Sequence, residues 1–126
     1  MRFTVDRLDH VVLTVSDIEL AAAWYQRVLG MERDAFGADN RTALRFGGQK
    51  IDLREDANVL HNRHSPLADF CFVTAVGPED VVGHLHSCGV VIERGPTHGT
   101  GALGPVTCVT CRDPDGNVIE IASYLE

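Results

Sequence analysis

The chain has 126 residues, 44% of them hydrophobic, and a formal net charge of −7. That acidic balance argues against nucleic acid or an anionic membrane as a partner, because both reward clustered Lys and Arg. No apolar run approaches the roughly 20 residues that span a bilayer. Met1-Arg2-Phe3-Thr4 is not followed by the apolar core of a signal peptide, so a cytoplasmic protein with its four cysteines reduced is expected.

The length fits one domain over residues 1–126. Within it the first module covers about 5–56, a polar linker about 57–66 and the second module about 67–126. Leu8 to Val15 is β-branched and weakly alternating, which predicts a strand. Ser16-Asp17 offers an N-cap, with Glu19 placed for the helix dipole. Leu20, Ala21, Trp24, Tyr25 and Val28 form one apolar helical face, with Trp24 assigned to the core, and Gly30 suits a left-handed C-cap. Arg41 to Phe46 and Lys50 to Leu53 predict a hairpin around Gly47-Gly48-Gln49.

Asp69 to Thr74 predicts the first strand of the second module. Pro78 opens a helix over Glu79 to Cys88, with Glu79 and Asp80 in its first turn. Val90 to Glu93 is expected to be a short strand. Gly95 to Pro105, with its four glycines and two prolines, is expected to be a long flexible loop. Val106 to Arg112 and Val118 to Ser123 are strands around the turn Asp113-Pro114-Asp115-Gly116-Asn117. The element order is β-α-β-β-β, twice, which is an α+β fold. His10 and Asp69 are 59 residues apart, as are Gly30 and Gly89.

The repeat pairs polar positions. Each module closes on a strand with an acid between aliphatics, Ile51-Asp52-Leu53 and Ile119-Glu120-Ile121. Strand alternation puts Val11, Leu13 and Val15, like Phe70 and Phe72, opposite to His10, Asp52, Asp69, Cys71 and Glu120. With the aliphatic sets under the helices, the four ionisable residues point onto an open, curved face. An acid inside a half-buried strand is costly unless paired or metal-bound. Taken alone, Glu120 is open to a solvated or arginine-paired role. Taken together across a repeat, His10, Asp52, Asp69 and Glu120 point to a metal or catalytic site. One imidazole with up to three carboxylates is a hard, oxygen-rich set that suits Mn, Fe(II), Co, Ni or Mg.

Three stretches, Leu8 to Val15, Trp24 to Met31 and Asp113 to Ile121, resemble the vicinal oxygen chelate (VOC) superfamily of glyoxalases, bleomycin-resistance proteins and extradiol dioxygenases. Ala43 to Phe46 with Gln49-Lys50-Ile51, Asp69 to Thr74, and Gly95-Pro96 through Gly104-Pro105 are similar to a narrower branch, the glyoxalase domain-containing protein 5-like, virulence-associated group. The resemblance implies two tandem βαβββ modules forming cup-shaped mixed sheets with helices on the outer face, the glyoxalase/bleomycin-resistance fold. It carries His10 onto the first-strand histidine ligand and Glu120 onto the last-strand glutamate ligand. Asp52 falls where metal-dependent glyoxalases have a glutamate, and Asp69 where a histidine is frequent. Thr14 replaces the basic residue that glyoxalases use for glutathione, and Asp56 stands where an asparagine is common.

The implied activity is that of a glyoxalase I-like, metal-dependent lyase or isomerase. It would act on a small α-hydroxy or α-keto substrate by metal-stabilised enediolate chemistry. Its divalent metal would be Ni, Co, Mn, Fe or Zn, with Glu120 and Asp52 as catalytic carboxylates and His98, the ionisable residue of the Gly95–Pro105 stretch, as an assistant. His10 should bind as neutral imidazole, with its other nitrogen held by an acceptor. An extradiol-type dioxygenase and a non-enzymatic small-molecule or drug-binding module are the alternatives. A homodimer is expected, which would cover an open cup edge, with sites shared between chains as one option.

Weaker signals have plainer readings. Cys108-Val109-Thr110-Cys111 has redox spacing, yet in a strand the thiols face opposite ways, and none of Cys71, Cys88, Cys108 and Cys111 is expected in a disulfide. His84 and His86 are expected on the surface, as are His61 and His64 in the linker.

Overall fold

The computed structural model describes residues 2–60 and 67–124. His61 and His64 lie outside the described residues. The chain divides into two compact units, residues 1–62 and 63–126.

In the first unit, β1 (His10–Val15) leads through α1 (Ile18–Leu29) to β2 (Glu32–Phe36), β3 (Arg41–Phe46) and β4 (Gln49–Glu55). The helix starts where the sequence indicates. Asp17 is its N-cap, and its carboxylate accepts from the Leu20 amide at 3.1 Å. Glu55, at the end of β4, accepts from the Ile18 amide at 2.9 Å, so one free helix-end donor is satisfied from the sheet. Gly30, at φ 67°, ends the helix. Such a left-handed cap is open to glycine without Cβ strain.

The sheet order is β1-β4-β3-β2, with β1 parallel to β4 and the other pairs antiparallel. Ala21, Ala22, Tyr25 and Val28 are the buried face of α1. They belong to one core with Leu13, Val15, Leu44, Ile51 and Leu53. Trp24 is half-buried, edge-on to the Tyr25 ring at 5.0 Å. Arg33 clamps Glu19 across this helix face, with Nη1 to Oε1 at 2.9 Å.

The second unit repeats the plan with β5 (Asp69–Val73), α2 (Pro78–Ser87), β6 (Arg94–Gly101), β7 (Gly104–Arg112) and β8 (Val118–Ser123). Its order, β5-β8-β7-β6, is the same. Both units are thus βαβββ modules, each a four-stranded mixed sheet with a flanking helix. His84 and His86 are exposed on α2, as expected.

Two expectations fail here. Val90 to Glu93 is not a strand, and Gly95 to Pro105 is not a loop. The Val90 amide donates to Leu85 O, so this β-branched run serves as the exit from α2. The strand lies in the glycine-rich stretch instead. β6 is an edge strand with a register irregularity between Arg94 and Thr97, and edges and bulges are where a sheet accepts Pro. Gly95 sits at φ +110°, and a Cβ there would lie 2.5 Å from the Cys108 carbonyl oxygen. Glycine is therefore required by close approach in a strand, the same residue type that reads as loop in the sequence.

The Asp113–Asn117 turn is built by side chains. Asp113 Oδ1 accepts from the Asp115 and Asn117 amides at 3.0 and 2.8 Å, and Oδ2 accepts from Asn117 Nδ2 at 2.9 Å. Asn117 Oδ1 in turn accepts from the Ala68 amide at 2.9 Å. The turn thereby anchors the entrance to β5.

Candidate functional site

In β1 and β4 the register pairs His10 with Lys50, Val12 with Asp52 and Thr14 with Arg54. These residues share the sheet face away from α1, because paired residues in a ladder point the same way. In β5 and β8 the register pairs Asp69 with Val118 and Cys71 with Glu120. Val12–Asp52 and Cys71–Glu120 are thus corresponding rungs. His10/Asp52 and Asp69/Glu120 are corresponding diagonals, one in each unit, as the repeat implied.

His10 and Asp52 come together, with Nε2 and Oδ2 3.6 Å apart. Behind them Asp9 Oδ1 lies 2.8 Å from His10 Nδ1. This hydrogen bond holds the Asp9 carboxyl below its ordinary range. Asp52 is buried, and its Oδ1 has no hydrogen-bond partner. Lys50 Nζ lies 2.9 Å from that oxygen. The contact is an ion pair off the hydrogen-bonding direction, so it balances charge without satisfying the lone pairs. Lys50 Nζ also sits 3.6 Å from the centre of the Phe36 ring, a cation–π arrangement.

In the second unit Glu120 is half-buried between Cys71 on β5 and Thr110 on β7. The Cys71 and Cys108 thiols share this face with Glu120. Burial raises the pKa of both, and the Glu120 charge adds to it, which keeps them neutral rather than nucleophilic. All four cysteines are free thiols. Cys111 faces the other way from Cys108 and is buried, which pushes its thiol up to about 11. Asp69 is exposed and stands in one row with Val118 and Arg112. Arg112 itself is clamped on Glu93 by bonds of 2.7 and 2.9 Å.

His98 departs from the sequence reading. It pairs with Thr107, whose own partner is Ser123. This row lies on the face opposite to Glu120, so His98 is not beside that carboxylate. Asp56 has a turn role: it accepts from the Asn58 amide at 2.9 Å through its side chain.

Sequence reasoning missed Lys50, Asp9 and Arg54. The signal for Lys50 was its place two residues before Asp52 on the same strand face. For Asp9 it was adjacency to the histidine.

The donor chemistry fits a divalent metal: an imidazole oriented through Nδ1, and a buried carboxylate oxygen without a hydrogen bond. Among the described residues, no three His, Cys, Asp or Glu side chains are gathered as a metal centre. Each unit by itself presents two of the four donors.

Fold and residues together define a tandem βαβββ protein with ionisable residues on the open sheet faces. The chain belongs to the Glyoxalase/Bleomycin resistance protein/Dioxygenase superfamily, which residues 7–121 match. It is 42% identical to virulence protein STM3117 of Salmonella typhimurium, covering 99% of this chain and 89% of that one. The crystal structure of that protein superposes with a TM-score of 0.87, over 98% of this chain and 100% of the other. The glyoxalase domain-containing protein RDO1 of Mycosarcoma maydis is 37% identical, over 98% of this chain and 71% of its own length. An integron cassette protein from the mobile metagenome of V. cholerae has a TM-score of 0.87 and 41% identity, over 99% of this chain and 100% of its own. The chain is thus related to the virulence-protein branch.

Proposed function

We propose that the chain is a glyoxalase I-like, metal-dependent lyase or isomerase acting on a small α-hydroxy or α-keto compound. The observation that carries this reading is the His10 ring, held at Nδ1 by Asp9 at 2.8 Å and turned with Nε2 toward Asp52 at 3.6 Å. Histidine ligands of metals typically have their second nitrogen held by a carboxylate or carbonyl. His10, Asp52 and Glu120 are the proposed ligands of a divalent ion (Ni, Co, Mn, Fe or Zn), with Asp69 as the least supported. Such an ion, when bound, polarises a substrate oxygen as a Lewis acid.

The chain's own part is to position the substrate and move a proton. Asp52 and Glu120 are the proposed general bases, taking the proton from the carbon beside the carbonyl and returning it to the neighbouring carbon. Burial of Asp52 keeps water from competing for that proton. Lys50 balances the Asp52 charge before the substrate arrives. The proposed assembly is a cytoplasmic homodimer, and sedimentation as a stable monomer at micromolar concentration overturns that part.

One observation favours a second reading, a small-molecule-binding module without metal. Lys50 Nζ, the chain's own cation, already sits on the carboxylate that a metal would need. An extradiol-type dioxygenase has less support, because Asp69 stands where a second histidine would complete an iron set.

The two readings separate by metal retention. Wild type, His10→Gln and Glu120→Gln are loaded identically with each metal, desalted and analysed for metal content. We expect one ion per chain in wild type and a loss in both variants. Equal content in wild type and Glu120→Gln sinks the metal reading and leaves the binding module. Deuterium exchange at the α-carbon of small hydroxy-carbonyl compounds then tests the proton transfer.

A further inference from the structure

The first unit has a cavity of about 380 Å³ at one end of its sheet, where Val12, Asp52 and Arg54 from the open face meet Ile18, Leu53 and Glu55 from the helix side. That size is in the range of small-molecule sites, roughly 300–1,000 Å³. Which of its charged groups are already engaged follows from the partners of each. Asp52 is held by Lys50 at 2.9 Å. Glu55 is engaged by the Ile18 amide at 2.9 Å. Asp39 faces Arg41 in an exposed pair at 3.4 Å, a kind of contact that contributes little and exchanges readily.

Arg45, a cation farther along the same face, is tied to Asp34 at 2.6 Å. Arg54 differs. Among the described contacts its guanidinium meets a neutral acceptor, with Nε donating to Thr14 Oγ1 at 3.4 Å. The fork of donors on its far side is directed by strand alternation to the face that carries Asp52. Arg41 flattens over the Phe36 ring at 4.6 Å, which holds a second guanidinium at the rim.

We propose that Arg54, assisted by Arg41, is the anchor for a small oxyanion, so that the substrate taken by this cavity is an acid rather than a neutral carbonyl compound. Guanidinium matches the planar, two-oxygen edge of a carboxylate or phosphate in a bidentate manner. The apolar walls from Val12 and Phe36 take the carbon skeleton, which then lies between the anchor and Asp52. Two neighbouring residues of one strand face, Arg54 and Asp52, thereby divide the work between holding and reacting. The proposal rests on taking the open face of the first sheet as the substrate side, as in the proposed function. It requires neither a bound metal nor turnover.

The test is calorimetric titration of the metal-free full-length chain. The probes are lactate and pyruvate, the uncharged lactamide, and inorganic phosphate, each at low and high salt. We expect the acids to bind, lactamide to bind at least tenfold more weakly, and Arg54→Gln to reduce acid binding about tenfold or more. Arg45→Gln, whose partner is Asp34, should leave binding unchanged. Phosphate binding that depends on Arg54, without carboxylate binding, keeps the anchor and assigns it to phosphorylated substrates. Equal binding of lactate and lactamide, no binding of any anion, or Arg54→Gln indistinguishable from wild type overturns the proposal. Because these titrations use metal-free protein, they can succeed while metal retention fails, and the reverse.

Discussion

Lys50 and Asp52 stand two residues apart on β4, their charged ends 2.9 Å apart on a face where both side chains are largely buried. The pair gives Asp52 its charge balance and leaves Oδ1 without a hydrogen bond. Removing one partner of a buried pair strands the other. Lys50→Met should destabilise the fold by about 3–5 kcal/mol. Lys50→Met with Asp52→Asn should recover most of that loss. Urea unfolding of the three variants measures both. A Lys50→Met midpoint equal to wild type would show that solvent already screens the carboxylate.

Asp9 carries the orientation of the His10 ring. Asp9→Ala removes the acceptor 2.8 Å from Nδ1. In the metal-dependent reading it should weaken metal affinity roughly 10- to 100-fold, while Asp9→Asn, which keeps an acceptor, should lose less. Competition titration with a chromogenic chelator reads this. Stability should hardly move, since Asp9 is exposed.

Cys111 sets an alkaline limit. Its thiol is buried and pushed up to about 11 from an ordinary 9.0. A proton held more tightly in the folded chain stabilises it fully below pH 9. That contribution is lost as pH rises from about 9 to 11, and amounts to about 3 kcal/mol at most. Cys111→Ala should flatten the loss of stability in this window. In native protein at pH 8, Cys111 should also resist iodoacetamide until unfolding, as mass mapping of the alkylated cysteines would reveal.

The Asp113–Asn117 turn is a structural device despite its acidic composition. Asn117 joins Asp113 to the Ala68 amide through bonds of 2.9 Å each. Asn117→Ala removes both of these side-chain bonds and leaves the Ala68 amide without its acceptor, at about 1–3 kcal/mol. Thermal unfolding should show a drop of several degrees, with ligand and metal binding retained per folded molecule. Loss of metal from a fully folded variant would instead tie the turn to the site.

Much of the fold was legible locally. Asp17 and Gly30 bound α1, Pro78 opens α2, and the alternation in Val118–Ser123 defines β8, because caps and strand periodicity act over a few residues. The 59-residue spacing of His10 and Asp69 likewise announced the repeated plan. Tertiary contact decided β6. Gly95 is glycine because the Cys108 carbonyl comes within 2.5 Å of where a Cβ would be, and no local signal separates that need from a loop's need for glycine.

The candidate site divides in the same way. Which residues carry donors, and which sheet face they share, follows from residue type and alternation: His10, Asp52, Cys71 and Glu120. What each donor meets depends on neighbouring strands. Register sets Arg54 beside Thr14 and puts His98 on the face away from Glu120. Side-chain reach brings Lys50 onto Asp52. Electrostatic partnership falls steeply with distance, and the distances between strands are set by the packed sheet rather than by the order of residues along the chain.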